Sequence, residues 1–335
     1  SLGTVSYYGH CQRDGVCGRS AQAGFVYDWS GAVCVHHDHQ RDFKQHIKGG
    51  KAGMMRKLKD DVLLCLIYLA AFGAEFLLLG ILVYVFVKGF PYVDLQFLTT
   101  VTSVLQGTVG IAGNMVNTIY IVVLTLVIAV PIGIGSAIYL NEYARPGKMV
   151  RLITFATQTL AGIPSILFGL FGMMFFGITL GLGYSILTGA LTLSLMVLPL
   201  ITRNTQEALL AVPESYKSGA LSMGAGKWYM IRTILLPSAM PGIVTGVILA
   251  VGRIMGESAA LLFTAGSGYL LPRSAGGWFH KVAESGGTLT IQLYLSMSKA
   301  QYDVVFGIAV VLLCILFCMN LIMKFFAKYT TESQR

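Results

Sequence analysis

Met115-Val-Asn-Thr-Ile-Tyr-Ile-Val-Val-Leu-Thr-Leu-Val-Ile-Ala-Val-Pro-Ile-Gly-Ile-Gly-Ser-Ala-Ile-Tyr-Leu140 contains no Asp, Glu, Lys, Arg or His. Coiled as a helix rising 1.5 Å per residue it would reach about 39 Å, more than the ~30 Å of a bilayer's hydrocarbon layer. Five further stretches are apolar and long enough to cross, with Glu75, Arg253, Glu257 and Lys324 as their charged residues: Val62–Val87, Leu152–Ile178, Tyr184–Ile201, Gly242–Phe263 and Val304–Phe326. Of the 335 residues, 55% are hydrophobic and 12% are charged. Soluble domains carry about 25% charged residues, so this chain lacks the polar skin a water-soluble globule needs. Its 39 glycines suit close helix packing in lipid. The expected fold is all-α, a polytopic membrane protein with six transmembrane helices.

The connections carry the topology. Lys44, Lys48, Lys51, Arg56, Lys57 and Lys59 precede the first span with no acid among them. Arg145, Lys148 and Arg151 occupy the next connection on that side, Arg203, Lys217, Lys227 and Arg232 the one after, and Lys324 and Lys328 the tail. The alternate loops hold Lys88, then no Lys or Arg, then Arg273, Lys281 and Lys299. The positive-inside rule therefore places both termini in the cytoplasm. The formal charge of +9 reflects this placement and does not point to nucleic acid. Pro131, Pro164 and Pro199 fall inside spans, where bent or broken helices that line a path and simple packing kinks are both open readings.

Residues 1–53 differ from the rest, holding five of the six histidines and three cysteines. They have no signal-peptide pattern. His36, His37, Asp38 and His39 have the chemistry of a metal site, but a disordered leader upstream of a start at Met54 or Met55 is the expected reading. Cys65, Cys314 and Cys318 lie in apolar spans and behave as small hydrophobes. The expected organisation is a leader over 1–53, a first span and external loop over 54–113, a core over 114–328 and a tail over 329–335.

Between the fourth and fifth spans, the segment 204–237 reads as two short helices broken at Gly224–Gly226, each too polar for lipid. Such a segment can fill a groove on a partner, or it is a plain connection. Ser218-Gly219-Ala220, then Gly224, then Ile234, Leu236 and Pro237 resemble the EAA loop of bacterial ABC importer permeases, with Ser-Gly where the pattern has Glu-Ala. Ile138–Ala144, Gly162–Gly172 and Gly252–Gly266 extend the likeness over roughly 114–265. Together they resemble the A-type membrane subunit of the phosphate-specific ABC transporter. The resemblance implies the type I importer permease fold and a heterodimer with a homologous C-type permease. It also implies two ATP-binding subunits that use ATP and Mg, an external phosphate-binding protein and a bacterial inner-membrane location. Ser218, Gly219, Ala220, Gly224, Ile234, Leu236 and Pro237 would dock the ATPase. A permease for sulfate or molybdate, or the C-type subunit itself, is the alternative.

Arg253 and Glu257 fall within the fifth span, where an unpaired charge costs at least ~2.5–3.5 kcal/mol. Their i, i+4 spacing allows an ion pair. At about 100° per residue they share a face with Gly242, Gly246 and Ala260, expected toward protein or a water-filled path, opposite a smooth, lipid-like face of Val244, Ile248, Val251, Met255 and Leu262. The pair is either a structural lock or an anion site in which the Arg253 guanidinium meets phosphate. The resemblance favours the second. Arg203 is either an interfacial anchor or the exit of the path, and Glu75 is expected near an interface.

Several function classes are excluded or left as rivals. No G-x-x-x-x-G-K-[ST] occurs, so ATP hydrolysis belongs to a partner and this chain is not an enzyme. An intramembrane enzyme would need a histidine or carboxylate pair within the spans, and a secondary transporter would not need an EAA-like loop.

Overall fold

The structure, a computed structural model, describes residues 50–103, 108–145, 147–271 and 277–332. The histidine cluster at His36–His39 and residues 1–49 lie outside the described residues. The chain divides into two units, Ser1–Met55 and Arg56–Arg335, and the helices described below as packed together belong to the second.

Helix α1 (Gly50–Gly89) carries the first span, Asp60–Tyr92. Leu, Ile, Val and Phe occur on all its sides, and none of its apolar window is buried within the chain. It touches the bundle at its far end, where the Tyr84 and Phe306 rings meet edge to face at 5.7 Å. Helix α2 (Leu95–Thr99) and an antiparallel hairpin, β1 (Val101–Ser103) with β2 (Thr108–Ile111), turn the chain back, Val101 opposite Ile111.

Helix α3 (Ala112–Ile138) buries Asn114, Asn117, Thr118, Ile121, Thr125, Ala129, Gly133 and Ala137. That three-to-four spacing marks one face, and it lies along the helix we number α6 (Ile186–Leu210). The Ser194 hydroxyl donates to the Thr125 carbonyl at 3.3 Å across this contact. Gly133 lets the Ile201 side chain reach the α3 backbone. Helix α6 is the central post, with 67% of its apolar window buried. Ser185 caps it by accepting the Thr188 amide at 3.1 Å. Pro131 and Pro199 both sit inside unbroken helices.

The third span is not the single helix its apolar run suggests. Helix α4 (Lys148–Ala161) and helix α5 (Ser165–Gly172, continuing as a π-helical stretch to Thr179) meet at 102°. The cause is local: Ile163 precedes Pro164, whose ring disfavours helical geometry at the residue before it. Among the described residues there are thus five candidate spans and one bent pair.

Two further boundaries move. Helix α6 continues to Leu210 instead of ending at Ile201, because its polar last turns still pack against the chain, as buried Thr202, Thr205 and Leu209 show. Beyond it come α7 (Glu214–Ser222), a turn at Gly224, α8 (Lys227–Met230) and a π-helical turn Ile231–Leu235. The chain then runs without interruption into α9 (Leu236–Gly256). The fifth span is accordingly Lys227–Gly256. It stops well short of Phe263, because Glu257 adopts an extended backbone and starts a separate helix, α10 (Ala259–Thr264). Helices α11 (Gly277–His280) and α12 (Leu289–Ser298) precede the last span, carried by α13 (Tyr302–Glu332).

Candidate functional site

Helix α9 is packed on two sides, against α6 and α13. Gly242 lies against Ala208 and Gly246 against Asn204, so the glycine face meets protein. The opposite face is not the lipid face expected from the helical wheel: Val251 and Met255 are buried in the main core with Ile121, Leu193 and Ile254. What remains open is a stripe between these contacts, Thr245, Leu249, Arg253 and Gly256. Gly252 and Gly256 have no neighbour within 4 Å of where a Cβ would stand.

Arg253 and Glu257 do not form the expected pair. Arg253 lies in the last turn of α9 and is exposed, and among the described residues it has no ion-pair partner. Glu257 lies beyond the helix end, where the i, i+4 geometry no longer applies. Its Oε1 accepts the Ala260 amide at 3.0 Å, capping α10, and its carbonyl accepts the Thr290 hydroxyl at 2.9 Å. Arg253 therefore stands without an ion-pair partner among the described residues on the open stripe with Thr245, Leu249 and Gly256, while Glu257 bonds to the Ala260 amide and the Thr290 hydroxyl.

The segment between α6 and α9 folds as two helices around Gly224, whose φ of +81° lies in the left-handed region that glycine adopts without strain. Ala220 is buried, and Ser218, Gly219 and Gly224 are exposed. Ile234, Leu236 and Pro237 are half-buried, while Leu235 between them is fully buried. A small core of Ala137, Leu209, Val212, Ala220, Met230, Ile231, Leu235 and Ile243 fastens the segment to the ends of α3, α6 and α9. On the outer side Met223 (89% exposed), Trp228 and Tyr229 are bare. Three large apolar side chains flanking one turn form a surface suited to a protein partner.

Sequence reasoning missed the polar contact beneath this segment. Glu142, in the π-helical turn Tyr139–Tyr143 that ends α3, pairs with Lys217 of α7 at 2.8 Å. Its side chain is 8% exposed and that of Lys217 13%. Asn141 donates to the same carboxylate oxygen at 2.7 Å. The Lys227 ammonium donates to the Glu142 carbonyl and lies 4.8 Å from the Tyr143 ring centre. One signal was available: Glu142 is the only acid between Asp94 and Glu207.

Arg203 is in the last third of α6 and pairs with Glu207 at 3.0 Å, both well exposed. An exposed i, i+4 pair contributes only about 0.3–0.5 kcal/mol. Glu75 lies at the middle of Asp60–Tyr92, not near an end, on an exposed face with no ion-pair partner among the described residues. Glu75 is equally central in the run Val62–Val87, so its place along the span gives no support to the interfacial expectation.

Residues 129–332 match the family described as binding-protein-dependent transport system inner membrane component. The chain is 38% identical over 213 residues to a probable ABC transporter permease protein of Bacillus subtilis, covering 64% of this chain and 72% of that one. It is 38% identical over 178 residues to a phosphate transport system permease protein of Xylella fastidiosa, covering 53% and 62%. A phosphate transport system permease protein of Pasteurella multocida is 34% identical over 210 residues, covering 63% and 75%. The match to the Xylella protein thus spans less than two thirds of its length. Among solved structures, a chain of a bacterial alginate ABC transporter in complex with a periplasmic protein superposes with a TM-score of 0.61 at 15% identity. That superposition covers 82% of this chain and 97% of the other. A chain of the MetNI methionine ABC transporter gives 0.50 at 21% identity, covering 66% and 94%. At these identities the structural likeness concerns the fold alone.

Proposed function

Because this chain belongs to the family of binding-protein-dependent transport system inner membrane components, we propose that it is the permease subunit of an ATP-driven importer of inorganic phosphate. The observation that carries the reading is the helix–turn–helix segment around Gly224, with Met223, Trp228 and Tyr229 bare on its outer side. That surface is a dock for a separate ATPase, with Ser218, Gly219, Gly224 and the buried Ala220 shaping its first helix and turn. Ile234, Leu236 and Pro237 carry its second arm into the fifth span. Hydrolysis of ATP, with Mg, takes place in two copies of that partner.

The transport path lies against the open stripe of α9. A guanidinium left bare inside a bilayer costs several kcal/mol, so the stripe faces water or a second permease and not lipid. Arg253 offers there a planar fork of donors suited to a tetrahedral oxyanion. With a homologous C-type permease across the path, the two chains would enclose a channel fed by an external phosphate-binding protein. The relatives named as phosphate permeases favour phosphate over sulfate or molybdate. Arg203 and Glu207, at the end of α6 near the coupling segment, stand at the cytoplasmic exit if the basic connections face inward, as the positive-inside rule requires.

The test is radiolabelled phosphate uptake into vesicles holding the assembled complex, with arsenate and sulfate as competitors. Competition by arsenate and not by sulfate is expected. Uptake blocked equally by sulfate would overturn phosphate as the substrate, and failure to copurify with an ATP-binding subunit would overturn the importer reading.

A further inference from the structure

We propose that Glu142 is a positioning residue that ties both arms of the coupling segment to the second span, so that α3 and the segment move as one body; this rests on the importer reading above. Lys217 and Lys227 lie on opposite sides of the Gly224 turn, one on α7 and one at the start of α8. Both converge on one residue: Lys217 on the Glu142 carboxylate at 2.8 Å, Lys227 on the Glu142 carbonyl and over the adjacent Tyr143 ring. Neither arm can shift along the end of α3 without breaking one of these contacts.

The backbone is built to present Glu142. The last turn of α3 is widened, the Ala144 amide reaching back to the Tyr139 carbonyl at 2.9 Å. Such π-helical turns recur at functional sites. The chain widens again at Ile231–Leu235, where the coupling segment enters α9. Asn141 donates to the same Oε1 that Lys217 meets, which fixes the carboxylate. The competing acid on α7, Glu214, is exposed and 3.8 Å from Lys217, so it is the weaker partner.

Apolar packing alone would hold the segment in place, and the core of Leu209, Met230, Ile231 and Leu235 already does so. Apolar contact is non-directional, however, and tolerates sliding. A buried ion pair adds little over apolar side chains of the same shape, but it defines one register. The pair at Glu142 is therefore better explained by transmission than by adhesion. When a docked ATPase displaces the segment, α3 must follow, and α3 packs along α6, the central helix.

The experiment uses the whole complex in vesicles, with purified binding protein, measuring radiolabelled phosphate taken up per ATP hydrolysed and the amount of assembled complex. Glu142→Gln and Lys217→Gln are each expected to lower uptake per ATP by about tenfold, with assembly kept and the double variant no worse than either single. Lys217→Arg, which keeps the charge, should stay coupled. Assembly lost with uptake per ATP unchanged would reduce the pair to a structural prop and overturn the inference. Additive losses in the double variant would do the same. Should Glu142→Gln not assemble, Lys217→Gln and Lys217→Arg decide alone. A wild-type complex that moves no phosphate overturns the importer reading itself, whereas a coupled wild type with equally coupled variants overturns the positioning role only.

Discussion

Glu257 caps helix α10 through the Ala260 amide, at 3.0 Å, and among the described residues it forms no ion pair with Arg253 four residues before it. The two charges were placed on one continuous helix by their spacing, and the structure ends that helix between them. A bound carboxylate on one side of the break and an exposed guanidinium on the other give the fifth span a polar end.

The first prediction follows from this separation. Arg253→Met and Glu257→Gln should act independently, because no contact joins them. Arg253→Met is expected to assemble normally and to lose most phosphate uptake. Glu257→Gln keeps an acceptor for Ala260 and should lose little stability, while Glu257→Ala removes the cap at about 1 kcal/mol. A double-mutant cycle on thermal stability in detergent should be additive within ~0.5 kcal/mol. Larger coupling would mean that the charges do meet.

Gly169 is where α5 crosses α10: a Cβ there would stand 2.7 Å from the Ala260 Cα. Backbone cannot yield as a flexible side chain can, so Gly169→Val should destabilise the chain by ~1–3 kcal/mol or more. Gly135, with nothing within 4 Å, is the control. Equal unfolding midpoints for Gly169→Val and Gly135→Val would show that the crossing is misplaced.

At Gly224 the chain itself offers no obstacle, since nothing lies within 4 Å of a Cβ position. The left-handed φ of +81° still penalises most side chains by about 1–2 kcal/mol, and least Asn and Asp. Gly224→Asp should therefore shift the unfolding midpoint of the isolated chain by only a few degrees. In the complex it should abolish stimulation of ATP hydrolysis, because the added charge meets only a docked partner. Retained stimulation would refute a dock at this turn.

Leu235 is fully buried where the coupling segment joins α9. Leu235→Ala should cost about 2–5 kcal/mol, as other buried leucine truncations do. Leu221→Ala, on the exposed side of α7, should change the midpoint little. Proteolysis within 211–226 should rise for the first variant alone, and equal cleavage of the two would argue against the local core.

The first, second and sixth spans were legible because lipid imposes a length and a polarity that one-dimensional reading captures. The turn at Gly224 was legible too, because a glycine between two short polar helices has a local cause. What the sequence by itself determined is thus the membrane class, most of the spans and the place of the two short helices around Gly224, all set by local hydropathy and spacing. The tertiary structure decided the rest. Whether Val251 faced lipid or core depended on α13 packing beside α9, a contact distant in sequence. The end of α9 at Gly256 depended on Glu257 finding the Ala260 amide and on Thr290 reaching its carbonyl. Glu142 and Lys217 are separated by 75 residues, and neither periodicity nor spacing relates them. Only the folding of the Gly224 turn back onto the end of α3 brings the lysine to the carboxylate, since pairing across such a distance is decided by packing and not by local propensity.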